Sequence, residues 1–180
     1  MSEVLYVNGY GATQNLDDGN YTRYLGEIIR HINWQPQRQF TVYLCGGHTN
    51  RTDLTEAACM RNIWEHLGAP PNAALVLIEN TTTARDNLKE VGRHTADLHV
   101  TVFCEFSRML TMEFLASRFF SRSTVFGIPF DTASLLTANM LKQRGPKLFL
   151  EVLANYLPLF DHLRLALRKR HVAKARHKTT

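Results

Sequence analysis

FTVYLCGGHTNRTDLTEAACMRNIWEHLGAPPNAALVLI, residues 40–78, decides the fold class of this chain. Its two short apolar runs, Phe40 to Cys45 and Ala74 to Ile78, are typical of buried strands. Between them, the apolar spacing predicts a helix from about Thr55 to Leu67, and Gly68 ends it. The stretch therefore predicts a strand, a helix and a second strand in succession, which is the unit of a parallel sheet.

The same alternation continues on both sides of this unit. Further strands are predicted at Val4 to Val7, His99 to Cys104 and Thr124 to Ile128. Further helices are predicted around Tyr24 to Ile32, Ala84 to Thr95 and Phe106 to Phe119. Asp53 and Glu56 resemble a capping box before the helix of the central unit. Right-handed crossovers between such elements give a Rossmann-like three-layer α/β/α sandwich with a mostly parallel sheet of about five strands.

A single α/β domain is predicted over residues 1–160, followed by a basic C-terminal helix end and tail at 161–180. A long final helix is predicted from Pro146 to about Arg170. The net charge of +5 belongs to the tail, which holds seven Lys or Arg residues against one acidic residue. Since the rest of the chain is near neutral, no specific nucleic-acid binding is expected. The tail suits weak contact with a membrane surface or an acidic partner.

The three cysteines, Cys45, Cys59 and Cys104, show neither a disulfide framework nor metal-ligand spacing. A reduced compartment without structural zinc is therefore expected. The apolar run after Met1 has no basic region before it, and the chain contains no apolar run of about 18 residues. These features predict a cytoplasmic protein.

Polar and glycine-rich segments follow the predicted strands, where parallel sheets bind ligands. Gly9-Tyr10-Gly11 lacks the third glycine of a dinucleotide fingerprint, and Asp17 to Asn20 are predicted to form a loop, so a classical NAD site is not expected. Gly46-Gly47 permits close approach of the backbone to a ligand. A nucleophilic Cys45 with His48 as its base is the alternative to an inert buried thiol, which the sequence favours.

Five segments stand in the following order along the chain: Gly46-Gly47, Thr55-Glu56-Ala57, Leu67-Gly68-Ala69-Pro70 leading into Ile78-Glu79, Thr81 to Asn87, and Val100-Thr101 with Arg108. Together they resemble the YdcF/SanA/ElyC-like family, a domain of unknown function, over about residues 40–130. The resemblance implies a Rossmann-like fold with a polar pocket at the strand ends. One member of that family resembles an S-adenosylmethionine binder, and others are linked to envelope biogenesis, usually behind a membrane anchor.

The positions that match the family are Gly46, Gly47, Glu56, Glu79, Thr81, Asn87, Thr101 and Arg108. Two positions depart from its pattern. Glu105 stands where the family often has a histidine, and Ala84 stands where it has a threonine. A mechanism that uses this histidine as an acid or base is therefore not carried over to this chain.

The expected ligand-binding residues are Gly9, Gly46, Gly47, His48, Asn50, Thr81, Thr82, Asn87, Thr101 and Arg108. Threonine hydroxyls at a helix start, bare N–H groups at the glycine pair and an arginine fork suit phosphate or carboxylate oxygens. Glu79 and Glu105 are the candidate catalytic residues, as a general base or as ligands of a divalent metal. No metal site is assigned. The alternative for each carboxylate is a structural role, as a helix cap or in a salt bridge with a neighbouring arginine.

The first functional hypothesis is binding of a small phosphorylated or nucleotide-like ligand at the carboxyl ends of the strands, with a hydrolase or transferase reaction. The second is binding of S-adenosylmethionine, with Glu79 on the ribose hydroxyls. The third is a non-catalytic, envelope-related or regulatory protein that docks through its basic tail.

Overall fold

The computed structural model describes residues 2–48, 53–95 and 99–130, together with Phe149, Val152 and Leu153. Its strands are β1 (Glu3–Asn8), β2 (Phe40–Cys45), β3 (Ala73–Ile78), β4 (His99–Glu105) and β5 (Arg122–Ile128). All pair in parallel, in the order β3-β2-β1-β4-β5. The predicted parallel sheet of five strands is confirmed.

Helices cover both faces of this sheet. They are α1 (Gly19–Asn33), α2 (Glu56–His66), α3 (Ala84–Thr95) and α4 (Met109–Phe119), with a short 3₁₀ helix at Phe106–Arg108 before α4. Side chains of α1 and α2 pack in one apolar cluster with one face of the sheet. Side chains of α3 and α4 pack in a second cluster on the other face. This arrangement confirms the three-layer α/β/α sandwich.

Two helix starts differ from the prediction. Residues 17–20 were expected to form a loop, but α1 begins at Gly19, and the Asp18 carboxylate accepts hydrogen bonds from the backbone N–H groups of Asn20 and Tyr21, both at 3.1 Å. This cap offsets the low helix propensity of Gly19. Thr55, and not Asp53, caps α2, because its hydroxyl accepts the N–H of Ala58 at 3.0 Å.

The end of α2 is as predicted. Leu67 is its C-cap, and Gly68 follows with φ of +88°, a left-handed conformation that favours glycine. The chain then enters β3, which lies beside β2.

The strand order creates a switch point at the carboxyl ends of β1 and β4. From β1 the chain proceeds outward to β2 and β3 through α1 and α2, and it then returns to the other side of β1 through α3. The connections that leave β1 and β4 therefore lie on opposite faces of the sheet. In open α/β sheets this divergence opens the crevice in which ligands bind.

The C-terminal predictions fall outside the described residues. This applies to most of the predicted final helix and to the whole basic tail, although Phe149, Val152 and Leu153 are helical. In the part of the chain that the structure describes, no helix combines the length and apolar character needed to cross a membrane.

Candidate functional site

Tyr10 lies at the switch point and joins the ends of β1 and β4. Its hydroxyl accepts the backbone N–H of Glu105, and its own N–H donates to the Tyr21 hydroxyl at 2.7 Å. Its ring packs edge-on against Tyr24 and Phe130, with centroid distances of 5.6 and 5.0 Å. Sequence reasoning missed Tyr10, because attention went to the glycines on either side of it. The aromatic cluster fixes the β1–α1 loop beside the crevice.

Arg108 lies over the ring of Tyr10, with its guanidinium carbon 4.5 Å from the ring centroid. The side chain is half-buried at the end of the 3₁₀ helix. Among residues 2–48, 53–95 and 99–130 it makes no ion pair and no hydrogen bond. A guanidinium is always charged and presents a planar fork of donors. Arg108 therefore brings a positive charge with open donors to the switch point.

The β3–α3 loop crosses the end of β2 at Gly47. A Cβ atom on Gly47 would lie 2.7 Å from the carbonyl oxygen of Glu79 and closer still to that of Thr81. Only glycine allows two backbone segments to approach so closely. We expected Gly47 to let the backbone approach a ligand closely. In the structure, it lets the backbone approach the β3–α3 loop of the protein itself.

The backbone N–H groups of Gly9 and Gly46 are not open to a ligand. Gly46 donates to the carbonyl of Ile78 at 3.0 Å, and Gly9 donates to that of Cys45 at 2.8 Å. Both bonds extend the strand ladders beyond the last residue of β2 and of β1. The expectation of a bare N–H at Gly46 is therefore wrong.

Buried polar side chains join α3 to β1. The Thr81 hydroxyl donates to the Asn87 side chain, and the buried Asn87 also acts on the Tyr6 phenol, whose pKa it lowers against the larger effect of burial. Tyr6 donates to Asn8 at 2.8 Å, and the Asn8 amide donates to the carbonyl of Gly9 at 2.8 Å. Burial raises the pKa of Tyr6 well above its ordinary value, so the phenol stays a donor. This network holds the first turn of α3 over the end of β1, and Thr81 and Asn87 position the site.

The threonines at the start of α3 have different hydrogen bonds. Thr83 caps the helix, because its hydroxyl accepts the N–H of Asp86 at 3.0 Å and donates to the Asp86 carboxylate at 2.8 Å. Thr82 is half-buried, and its hydroxyl has no hydrogen-bond partner in the described ranges. Of the three threonines, Thr82 is the one with an open hydroxyl at this helix start.

The two predicted catalytic carboxylates have different surroundings. Glu79 is half-buried directly after β3, and one of its oxygens accepts the Thr55 hydroxyl at 2.6 Å. Glu105 is buried, and its carboxylate accepts the N–H of Ser107 at 2.9 Å and the Ser107 hydroxyl. Glu105 therefore caps the 3₁₀ helix, and Glu79 is the better placed of the two to reach a ligand.

A third carboxylate, Glu56, lies beneath the glycine loops. It is buried at the first turn of α2. Cβ atoms added at Gly9 and Gly46 would lie 2.8 and 2.6 Å from the Cβ of Glu56. The two glycines are needed at these positions because Glu56 packs against them.

Thr101 does not belong with the other candidates. It stands in the first half of β4, and its hydroxyl donates to the Glu3 carboxylate at 3.3 Å. Glu3 opens β1, so this contact lies toward the amino ends of the strands, away from the site. The structure therefore does not bring Thr101 together with the candidates at the carboxyl ends of the strands.

The remaining candidates follow β2. Cys45 is fully buried, and burial raises the pKa of its thiol well above the ordinary value, which agrees with an inert thiol and not with a nucleophile. His48 is half-buried, and its Nδ1 atom is buried with no hydrogen-bond partner in the part of the chain described. Such orphaned atoms are rare in folded proteins. Asn50 lies outside the described residues.

Within those same ranges, no group of three or more His, Cys, Asp or Glu side chains could hold a metal ion. Comparisons with models of protein families, with curated proteins and with solved structures give no match. The resemblance to the YdcF/SanA/ElyC-like family stays a prediction from the sequence.

Proposed function

We propose that this protein binds a small phosphorylated or nucleotide-like molecule over the carboxyl end of β1. Arg108 is the observation that carries the proposal. A half-buried guanidinium that stacks on Tyr10 and makes no ion pair with any described residue is suited to an anionic ligand. Its planar fork matches two oxygens of a phosphate.

The start of α3 supports the same ligand from the other side of β1. The buried network from Asn87 to Tyr6 holds this helix start near the strand end. A helix N-terminus carries partial positive charge and favours phosphate oxygens. Thr82 adds an open hydroxyl at this position.

Glu79 is the candidate general base if the bound molecule is hydrolysed or transfers a group. It is held beside the site by Thr55 and keeps a second carboxylate oxygen for a proton. S-adenosylmethionine remains the alternative ligand from the sequence. Docking through the basic tail concerns residues 161–180, which lie outside the described ranges.

A thermal-shift screen tests the proposal. Purified protein is mixed with inorganic phosphate, nucleotides, sugar phosphates, S-adenosylmethionine and divalent metals, and a ligand at 100 times its Kd raises stability by about 2.7 kcal/mol. We expect phosphorylated compounds to stabilise the protein. A response to S-adenosylmethionine alone would favour the alternative ligand.

The anchor is tested with Arg108→Lys, which keeps the charge but removes the fork. We expect its affinity for the phosphorylated hit to fall about tenfold or more. Arg122→Lys is the matched control, because Arg122 is exposed at the first residue of β5, at the amino ends of the parallel strands and away from the site. Equal affinity of the two variants would show that Arg108 is not the anchor.

A further inference from the structure

We propose that Glu79 selects ligands that carry hydroxyl groups beside the anionic group, so that the ligand class is a sugar phosphate. The inference rests on the proposed function and adds the chemistry of the second half of the ligand. Glu79 contributes the recognition, and Thr55 positions it.

The hydrogen bonds of Thr55 fix the direction of its hydroxyl. Its oxygen accepts the N–H of Ala58 at 3.0 Å as the cap of α2. Its proton is directed to a Glu79 oxygen at 2.6 Å, a short distance typical of a hydrogen bond to a carboxylate. The start of α2 thereby orients the Glu79 side chain at the end of the neighbouring strand.

The rest of the Glu79 carboxylate is open to donors. Within the described ranges, Thr55 is its one hydrogen-bond partner, and no Lys, Arg or His forms an ion pair with it. A carboxylate that is half-buried without a cation gains from further donors. An ionised carboxylate only accepts hydrogen bonds, so a ligand group that meets it must donate.

His48 follows β2 beside the start of this loop. Gly47, its neighbour in the chain, lies under the Glu79 carbonyl. The Nδ1 atom of His48 is itself buried and has no hydrogen-bond partner in the described ranges, so Glu79, and not this atom, is the group that is open to a ligand.

The two sides of the site therefore require different ligand groups. Arg108 and the start of α3 offer donors and positive charge, whereas Glu79 offers acceptors. A phosphate monoester without hydroxyls satisfies the first side only. A sugar phosphate satisfies both, because its phosphate and its hydroxyl groups lie at opposite ends of one small molecule.

Isothermal titration with ribose 5-phosphate and methyl phosphate tests this inference, since both are phosphate monoesters and one lacks hydroxyls. We expect the wild-type protein to bind ribose 5-phosphate about tenfold more tightly. Glu79→Gln should bring the ratio of the two Kd values close to one. Glu27→Gln, on the exposed side of α1 in an ion pair with Arg30, is the control and should keep the preference.

Thr55 variants test the positioning role. Thr55→Ser keeps both hydrogen bonds and should keep the preference, whereas Thr55→Val should reduce it. The ratio of the two Kd values within one variant is insensitive to the loss of stability that removal of the α2 cap brings. An unchanged ratio in Thr55→Val would overturn the role of Thr55.

The outcomes separate this inference from the proposed function. Equal binding of both compounds by the wild-type protein would overturn selection by Glu79 and leave the phosphate site standing. Binding of neither compound would overturn both.

Discussion

At Gly47 the fold leaves no space for a side chain. The nearest atoms to an added Cβ are backbone carbonyl oxygens of Glu79 and Thr81, which cannot turn away as a flexible side chain can. We expect Gly47→Ala to lower the free energy of unfolding by about 1–3 kcal/mol, as overpacking does in other cores. Urea denaturation followed by circular dichroism measures this change.

Gly26 provides the matched control. It lies inside α1, and an added Cβ there meets no atom within 4 Å. Since alanine favours the helix, Gly26→Ala should raise the free energy of unfolding by about 0.5–1 kcal/mol. Similar stability of the Gly47→Ala and wild-type proteins would contradict the packing at Gly47.

At single residues, the sequence indicates which residue types follow the strands but not what each one contacts. The glycines and threonines after the strands do cluster, as the parallel sheet requires. Their partners could not be read from the sequence, because Glu56 meets Gly9 and Gly46 only after α2 has packed. A glycine needed for contact within the protein and one needed for contact with a ligand look alike in a single sequence.

At the scale of an element, the start of α3 depends on the buried Asn87. Asn87→Ala would remove the hydrogen-bond partner of the Thr81 hydroxyl, while the Tyr6 hydroxyl keeps its bond to Asn8. An intramolecular hydrogen bond contributes about 0.5–1.5 kcal/mol, and we expect the free energy of unfolding to fall by that amount. Urea denaturation measures the loss.

Asn62→Ala is the control for this change. Asn62 is half-buried in α2, and its side-chain oxygen accepts a long hydrogen bond of 3.4 Å from the guanidinium of Arg61. Its replacement should alter stability by less than about 0.5 kcal/mol. If both variants were equally stable, the network would not be what holds α3.

The bounds of helices and strands were predicted correctly where the sequence carries a clear local signal, such as an apolar run or a glycine after a helix. β2 has the predicted bounds, and Gly68 ends the second helix as expected. The start of α1 was missed, because Gly19 and Asn20 suggest a turn unless the Asp18 cap is recognised. Capping decides such cases, and Asp is favoured both at helix N-caps and in turns.

Over the whole molecule, buried phenols and thiols make the fold sensitive to alkali. Burial raises the pKa of Tyr6, Tyr10, Tyr24 and Cys45 well above their ordinary values. The unfolded chain releases these protons from about pH 8.5 for Cys and about pH 10 for Tyr, while the folded protein retains them. Stability is therefore complete below these values and is lost as the pH rises above them.

A pH titration checks this expectation. Tyrosinate absorbance and circular dichroism are followed together, and we expect the buried tyrosines to ionise only as the protein unfolds. Ionisation of all six tyrosines near pH 10 with unchanged circular dichroism would contradict their burial.

The sequence was sufficient for the fold class but not for the strand order. Alternating strands and helices predict a parallel sheet, and they do not say on which side of β1 the fourth strand is added. That choice places Tyr10 and Arg108 at the switch point. It depends on how α3 packs across the sheet, which one sequence does not reveal.

The anion site over the end of β1 is tested most directly by NMR titration of ¹⁵N-labelled protein with methyl phosphate. We expect saturable shifts confined to the amides of Tyr10, Thr82, Ala84 and Arg108 and their neighbours. Shifts centred on the amino ends of the strands, or no saturable shift at all, would contradict the claim.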